Sequence, residues 1–89
     1  MNKPESYWNY RIIKMADPKL KGLPRSYSYG IYEVYYKNGK PYAWSKDPMH
    51  AIGETWNELW ADYRRMKECF VKPTLALKGK KLVEIGRFK

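Results

Sequence analysis

Hydrophobic and polar positions alternate with a period of two from Tyr7 to Lys14. Trp8, Tyr10 and Ile12 fall on one face, and the run is rich in aromatic and β-branched residues, so it predicts a strand. A second such run, Tyr27 to Lys37, is followed by Asn38-Gly39 and then by Lys40 to Ser45. Asn-Gly between two aromatic runs predicts a β-hairpin, because both turn residues need positive φ. A two-residue turn sets Tyr35 opposite Tyr42, Val34 opposite Ala43 and Glu33 opposite Trp44. One face of the hairpin then carries Tyr29, Ile31, Glu33, Tyr35, Tyr42 and Trp44. The other carries Gly30, Tyr32, Val34, Tyr36, Pro41 and Ala43. Both faces are largely apolar or aromatic, whereas a half-exposed sheet alternates with polar residues, so either both faces are covered or one presents its aromatics to a partner. Pro41 has no N–H and marks a free or irregular edge.

The period then changes. Trp56, Leu59, Trp60, Tyr63, Met66 and Phe70 recur mostly at spacings of three and four, which predicts an amphipathic helix. Thr55-Trp56-Asn57-Glu58 fits a capping box at its start, and Pro73 closes it. A groove-binding surface is one reading of the stripe, but a helix packed on the hairpin accounts for it fully. Asp17 to Pro24 reads as a loop. Residues 76–89 read as a basic C-terminal tail, with Leu82–Ile85 as a candidate short edge strand. The predicted class is α+β: a three- or four-stranded antiparallel sheet with one long amphipathic helix on one face, in a single domain over residues 1–75.

Composition narrows the setting. A chain of 89 residues holds one thin core, and bulky aromatics, 17% of the chain, suit it. The net charge is +9, unevenly spread. Residues 1–25 carry six bases against two acids, residues 26–73 seven against six, and residues 74–89 five against one. Basic ends suit phosphates or an acidic protein surface, and they equally keep a small aromatic domain soluble. A mimic of DNA would be acidic. No apolar run approaches a membrane span, and the single cysteine, Cys69, forms no internal disulfide. A reducing cytoplasm is the expected compartment, with no membrane partner.

Chemistry-bearing residues are sparse. His50 is the one histidine, so a zinc site of three or four ligands is not expected. Cys69 lies near a helix C-terminus, where the dipole disfavours a thiolate. Gly79-Lys80-Lys81 lacks the remaining elements of a phosphate loop. Glu33, mid-strand, fits a structural partner of Arg11 or of a Tyr or Trp better than a catalytic acid. No enzyme activity, cofactor or metal is expected.

The motifs YWNYRII, YGIYEVYYKNGKPYAWSKDP, IGETWNELWADYRRM and KPTL, in that order over residues 7–75, resemble a family of small bacterial and phage proteins of uncharacterised activity. The order strand, hairpin, loop and Gly-x-Thr-x-x-Glu-Leu helix also resembles HicB-type antitoxin domains. That resemblance implies a sheet-and-helix fold which binds and masks a small ribonuclease toxin. The tail here is too short for the separate DNA-binding region such antitoxins often carry.

Two functional expectations follow. The first is a small protein-binding inhibitor or adaptor, antitoxin-like or of phage anti-defence type, with Tyr29, Tyr35, Tyr42 and Trp44 as anchors. The second is a single-stranded nucleic-acid or RNA-binding protein that stacks bases on the same aromatics. Lys37, Lys40, Arg64, Arg65, Lys78, Lys80 and Lys81 would then hold phosphates. The expected partner is another protein or a nucleic acid. A homodimer sharing one aromatic face is the further expectation.

Overall fold

Alternating aromatic and β-branched residues build two long strands, β1 (Ser6–Ala16) and β2 (Tyr27–Lys37). They pair antiparallel along their full length, with Tyr10 opposite Glu33 and Ile13 opposite Gly30. The computed structural model describes residues 5–18 and 21–87. Lys19 and Leu20 of the predicted loop, and Phe88 and Lys89 of the predicted tail, lie outside them.

The turn after β2 forms at Asn38-Gly39, both with positive φ, 52° and 81°. It leads into β3 (Lys40–Trp44). The register is not that of a plain two-residue hairpin. Lys37 faces Lys40 and Tyr36 faces Pro41, but Tyr35 then faces Ala43 and Val34 faces Trp44. A bulge between Tyr35 and Tyr36 absorbs the extra residue. A shift of one residue moves side chains to the opposite face. Trp44 is thereby corrected from the Tyr29–Tyr35 face to the Val34 face.

The helix begins as its capping box directs. Thr55 accepts from the Glu58 backbone N–H at 3.1 Å, and Glu58 accepts in return from the Thr55 N–H at 3.0 Å. Gly53 is required just before it, since a Cβ there would sit 2.2 Å from the Leu59 nitrogen. Helix α1 runs over Trp56–Lys67, and a 3-10 turn, Glu68–Val71, carries the chain to Pro73.

Beyond Pro73 the chain forms β4 (Thr74–Lys78) and β5 (Lys81–Gly86), joined at Gly79 with φ 67°. Strand β4 pairs parallel to β1, Ile13 beside Leu75, and the sheet order is β3-β2-β1-β4-β5. The fold is therefore α+β, with a five-stranded mixed sheet in place of the expected three or four antiparallel strands. Leu75 and Leu82, almost wholly buried, explain why this strongly basic segment is ordered into the sheet.

The sheet covers one of its own faces. Its two edge strands, β3 and β5, come into contact, so the sheet curls around Ile13, Tyr32, Val34, Tyr36, Leu75 and Leu82. Tyr7, stacked on Tyr36 at 4.6 Å, and Trp44 pack against this inner cluster. The convex face holds a second, smaller cluster of Tyr10, Met66 and Cys69, flanked by Ile12, Ile31, Met49 and Ala51.

The helix therefore meets the sheet chiefly through Met66 and the turn after it. Asp62 reinforces this contact, accepting from the Tyr10 hydroxyl at 3.3 Å and from the Ile52 N–H at 3.0 Å. At about 100° per residue, the inward residues Met66 and Asp62 lie roughly 120° and 160° around from Trp60. The apolar stripe consequently faces sideways. Its expected burial against the hairpin is corrected: Trp56 is 74% exposed, Trp60 45% and Tyr63 50%.

Candidate functional site

The first two turns of α1 place Trp56, Trp60 and Tyr63 at i, i+4 and i+7, one above the other. Their rings stack in a row, Trp56 to Trp60 at 6.3 Å between centroids and Trp60 to Tyr63 at 5.7 Å, with interplanar angles of 24° and 22°. Leu59, also exposed, sits beside the row, and Ala51 closes a shallow apolar groove along it. Contiguous exposed aromatics of this size are uncommon on the surface of a monomeric protein.

Charge is divided along the same helix. From Gly53 to Tyr63 there are three acids, Glu54, Glu58 and Asp62, and no base. From Arg64 to Lys72 there are four bases, Arg64, Arg65, Lys67 and Lys72, against Glu68. The division suits the helix dipole, acids leading and bases following. The division runs along the helix axis and not over the face of the row, since Asp62 is turned to the Tyr10 hydroxyl and Arg65 lies toward Trp8, Asn9 and Tyr10.

The residues expected from the sequence do not form one surface. Tyr29 is exposed at one end of the convex face, with the Lys14 ammonium 5.9 Å from its ring centroid. Tyr35 lies toward the other end and donates to Glu33 at 2.6 Å. That bond is the main reason its hydroxyl pKa is raised above the ordinary value, with burial second. Tyr42, at the bulge, is exposed near Tyr35, while Trp44 belongs to the inner cluster. Glu33 is thus held by a tyrosine. Arg11, the other partner weighed for it, pairs with Glu84 instead.

The expected cations are also dispersed. Lys37 and Lys40 sit at the β2–β3 turn, level with Ser6. Lys78, Lys80 and Lys81 sit at the β4–β5 turn, beyond the point where Ala76 lies beside Lys14. These turns lie toward opposite ends of β1, roughly 30 Å apart at strand rise. Arg64 and Arg65 are on α1, Arg65 on the side toward Trp8, Asn9 and Tyr10 and away from the aromatic row. Sequence reasoning assigned Trp56, Leu59, Trp60 and Tyr63 to the core in preference to a groove-binding surface, because their periodicity is equally that of a core stripe.

Cys69 is 1% exposed, and burial is the main factor pushing its thiol pKa up. Thiol alkylation of the native protein at pH 8 is expected to be at least about a hundredfold slower than in urea, because only the thiolate reacts and only opened molecules expose it. Equal rates would place Cys69 at the surface. Among the described residues, no group of three His, Cys, Asp or Glu side chains is placed to hold a metal ion. Nor is any helix there long and apolar enough to cross a membrane. In comparison with known proteins, no family model, no curated protein and no solved structure matches this chain.

Proposed function

We propose that this protein is a small non-enzymatic protein-association module, an inhibitor or adaptor that works by docking through the apolar face of α1. The carrying observation is the row Trp56–Trp60–Tyr63 with Leu59, exposed on a capped helix whose opposite contacts already hold the fold. Tryptophan and tyrosine dominate interface hot spots because they bury much area at little entropic cost. The same row has little use inside the chain. Masking a partner is also the role implied by the resemblance to HicB-type antitoxin domains.

Single-strand binding receives less support from the geometry. The tyrosines on the sheet do not make a joint platform, the lysine turns lie apart, and the first half of α1 offers only acids to a phosphate. The test is paired. Anisotropy of a labelled mixed-sequence 20-mer single strand is measured over a salt series, and protein complexes are measured at 0.5 M NaCl with Trp60→Ser as control. The expected result is a salt-tolerant protein complex lost in Trp60→Ser, with little single-strand binding near physiological salt. Tight single-strand binding that falls steeply with salt, unaffected by Trp60→Ser, would transfer the function to nucleic acid.

A further inference from the structure

We infer that the first half of β1 is an open sheet edge that takes an extended acidic peptide of another protein as an added strand. This surface is separate from the aromatic row of α1 and does not rest on it.

The direction of the main-chain groups carries the inference first. At one end of the β1–β2 ladder the Asn38 N–H donates to the Glu5 carbonyl at 2.8 Å, and at the other the Asp17 N–H donates to the Ser26 carbonyl at 2.9 Å. The register between these ends is unbroken. In an antiparallel pair each residue turns its N–H and C=O to the same side, and successive residues alternate. The odd-numbered residues of β1 therefore face β2, and Ser6, Trp8, Tyr10, Ile12 and Lys14 face the other way. Strand β4 reaches that side only at Ile13 beside Leu75 and Lys14 beside Ala76. The next rung toward Tyr10 needs an N–H at position 73, and Pro73 has none. The Pro73 carbonyl accepts from the Arg11 guanidinium at 2.7 Å. Among the described residues, the outward groups of Ser6, Trp8 and Tyr10 thus have no main-chain partner. They recur about every 6.8 Å along the strand. An extended backbone meets such a row, which is how strands add to sheet edges.

Side chains select the charge. A cleft of about 250 Å³ lies against this edge, lined by Trp8, Asn9 and Tyr10 of β1 and by Arg65, Glu68 and Lys72 from the end of α1 and the segment after it. Among the described residues, none of these three charged groups is in an ion pair. Two bases against one acid, on a chain of +9, draw a carboxylate in preference to an ammonium. Trp8, 43% exposed and edge-on to Tyr10 at 5.1 Å, gives the same face an apolar surface. The fitting segment therefore alternates, with an acid and apolar side chains two residues apart on the face toward the cleft.

Amide hydrogen exchange of the full chain, read by NMR, tests the inference. In the free protein the Trp8 N–H should exchange at least about a hundredfold faster than the adjacent Asn9 N–H, which is paired with β2. A capped Thr-Val-Thr-Glu-Thr-Val-Thr peptide at about 5 mM should slow Trp8 severalfold and leave Asn9 unchanged. Lysine in place of the peptide's glutamate, or Arg65→Glu in the protein, should each weaken binding roughly tenfold, and the two together should recover part of it. Inorganic phosphate at the same concentration should leave Trp8 exchange unchanged. Trp60→Ser should leave peptide binding unchanged, so this surface and the α1 row stand or fall separately. A Trp8 N–H as protected as that of Asn9 in the free chain overturns the open edge. No slowing of Trp8 by the peptide overturns strand addition, and equal slowing by phosphate reduces the cleft to an anion site and overturns it too. Equal slowing by the lysine peptide overturns the acidic partner. The peptide controls keep the test decisive even if Arg65→Glu folds poorly.

Discussion

Arg11→Ala is expected to lower the unfolding free energy by about 3 kcal/mol, and Glu84→Gln by less than about 1 kcal/mol. The two residues form one ion pair at 3.2 Å, yet their surroundings differ, with side chains 7% and 61% exposed. Glu84 meets its partner at the solvent edge, where water competes for the carboxylate and the pair contributes little. Arg11 is the inner member of a wider network. Its guanidinium donates to the Tyr36 hydroxyl at 2.9 Å and to the Pro73 carbonyl at 2.7 Å as well as to Glu84. It therefore links β2, the entry to β4 and β5 from a position on β1. Alanine removes the donors while Tyr36 stays buried, and it opens a gap beside the inner cluster. Arg11→Met should recover part of the loss by refilling the space, without restoring either acceptor's partner. Urea unfolding followed by circular dichroism gives the three values. Equal losses for Arg11→Ala and Glu84→Gln would mean that the ion pair, and not the buried hydrogen bonds, holds the strands together.

Arg11 also shows why parts of this fold are legible in the sequence and others are not. The Asn38-Gly39 turn and the Thr55–Glu58 capping box are local instructions: each is satisfied by residues within four positions, and each appears where the sequence predicts it. The partners of Arg11 at Tyr36, Pro73 and Glu84 lie 25, 62 and 73 positions away. Nothing near Arg11 names them. The parallel pairing of Ile13 with Leu75 is equally non-local, and the basic composition of the last segment hides β4, although Leu82–Ile85 already reads as a candidate edge strand. The bulge between Tyr35 and Tyr36 is a one-residue event, yet it decides on which face Trp44 lies. The apolar need of both sheet faces is legible. That curling of the sheet answers it on one face depends on β5, a strand outside the predicted hairpin. The row on α1 was legible as a stripe. Its direction was not, because the inward line runs through Asp62, an acid whose partners are the Tyr10 hydroxyl and the Ile52 N–H.

The largest expected loss separates core from surface with a single kind of change. Ile13→Ala should cost about 3–4 kcal/mol and Leu59→Ala less than about 1 kcal/mol, measured by urea unfolding at concentrations where the chain is monomeric. Ile13 is 0% exposed and Leu59 42%. Ile13 sits at the centre of the inner cluster, on the strand that pairs with both β2 and β4, so its truncation leaves a cavity that neither neighbouring strand can move to fill. For a domain of this size the loss would lower the melting temperature by roughly 12–30 °C. At Leu59 the lost contacts are partly with water, and alanine is at least as good a helix former as leucine. A cost at Leu59 equal to that at Ile13 would mean that the α1 stripe is packed on the sheet in solution. A protein that docks on the α1 row should change the contrast. Its binding adds stability by mass action, and Leu59→Ala forfeits that share while Ile13→Ala still loses its intrachain core. A partner-dependent gap between wild type and Leu59→Ala, alongside a nearly constant one for Ile13→Ala, would locate the two apolar clusters on different sides of the fold's boundary: one closed within the chain, the other closed only by a partner.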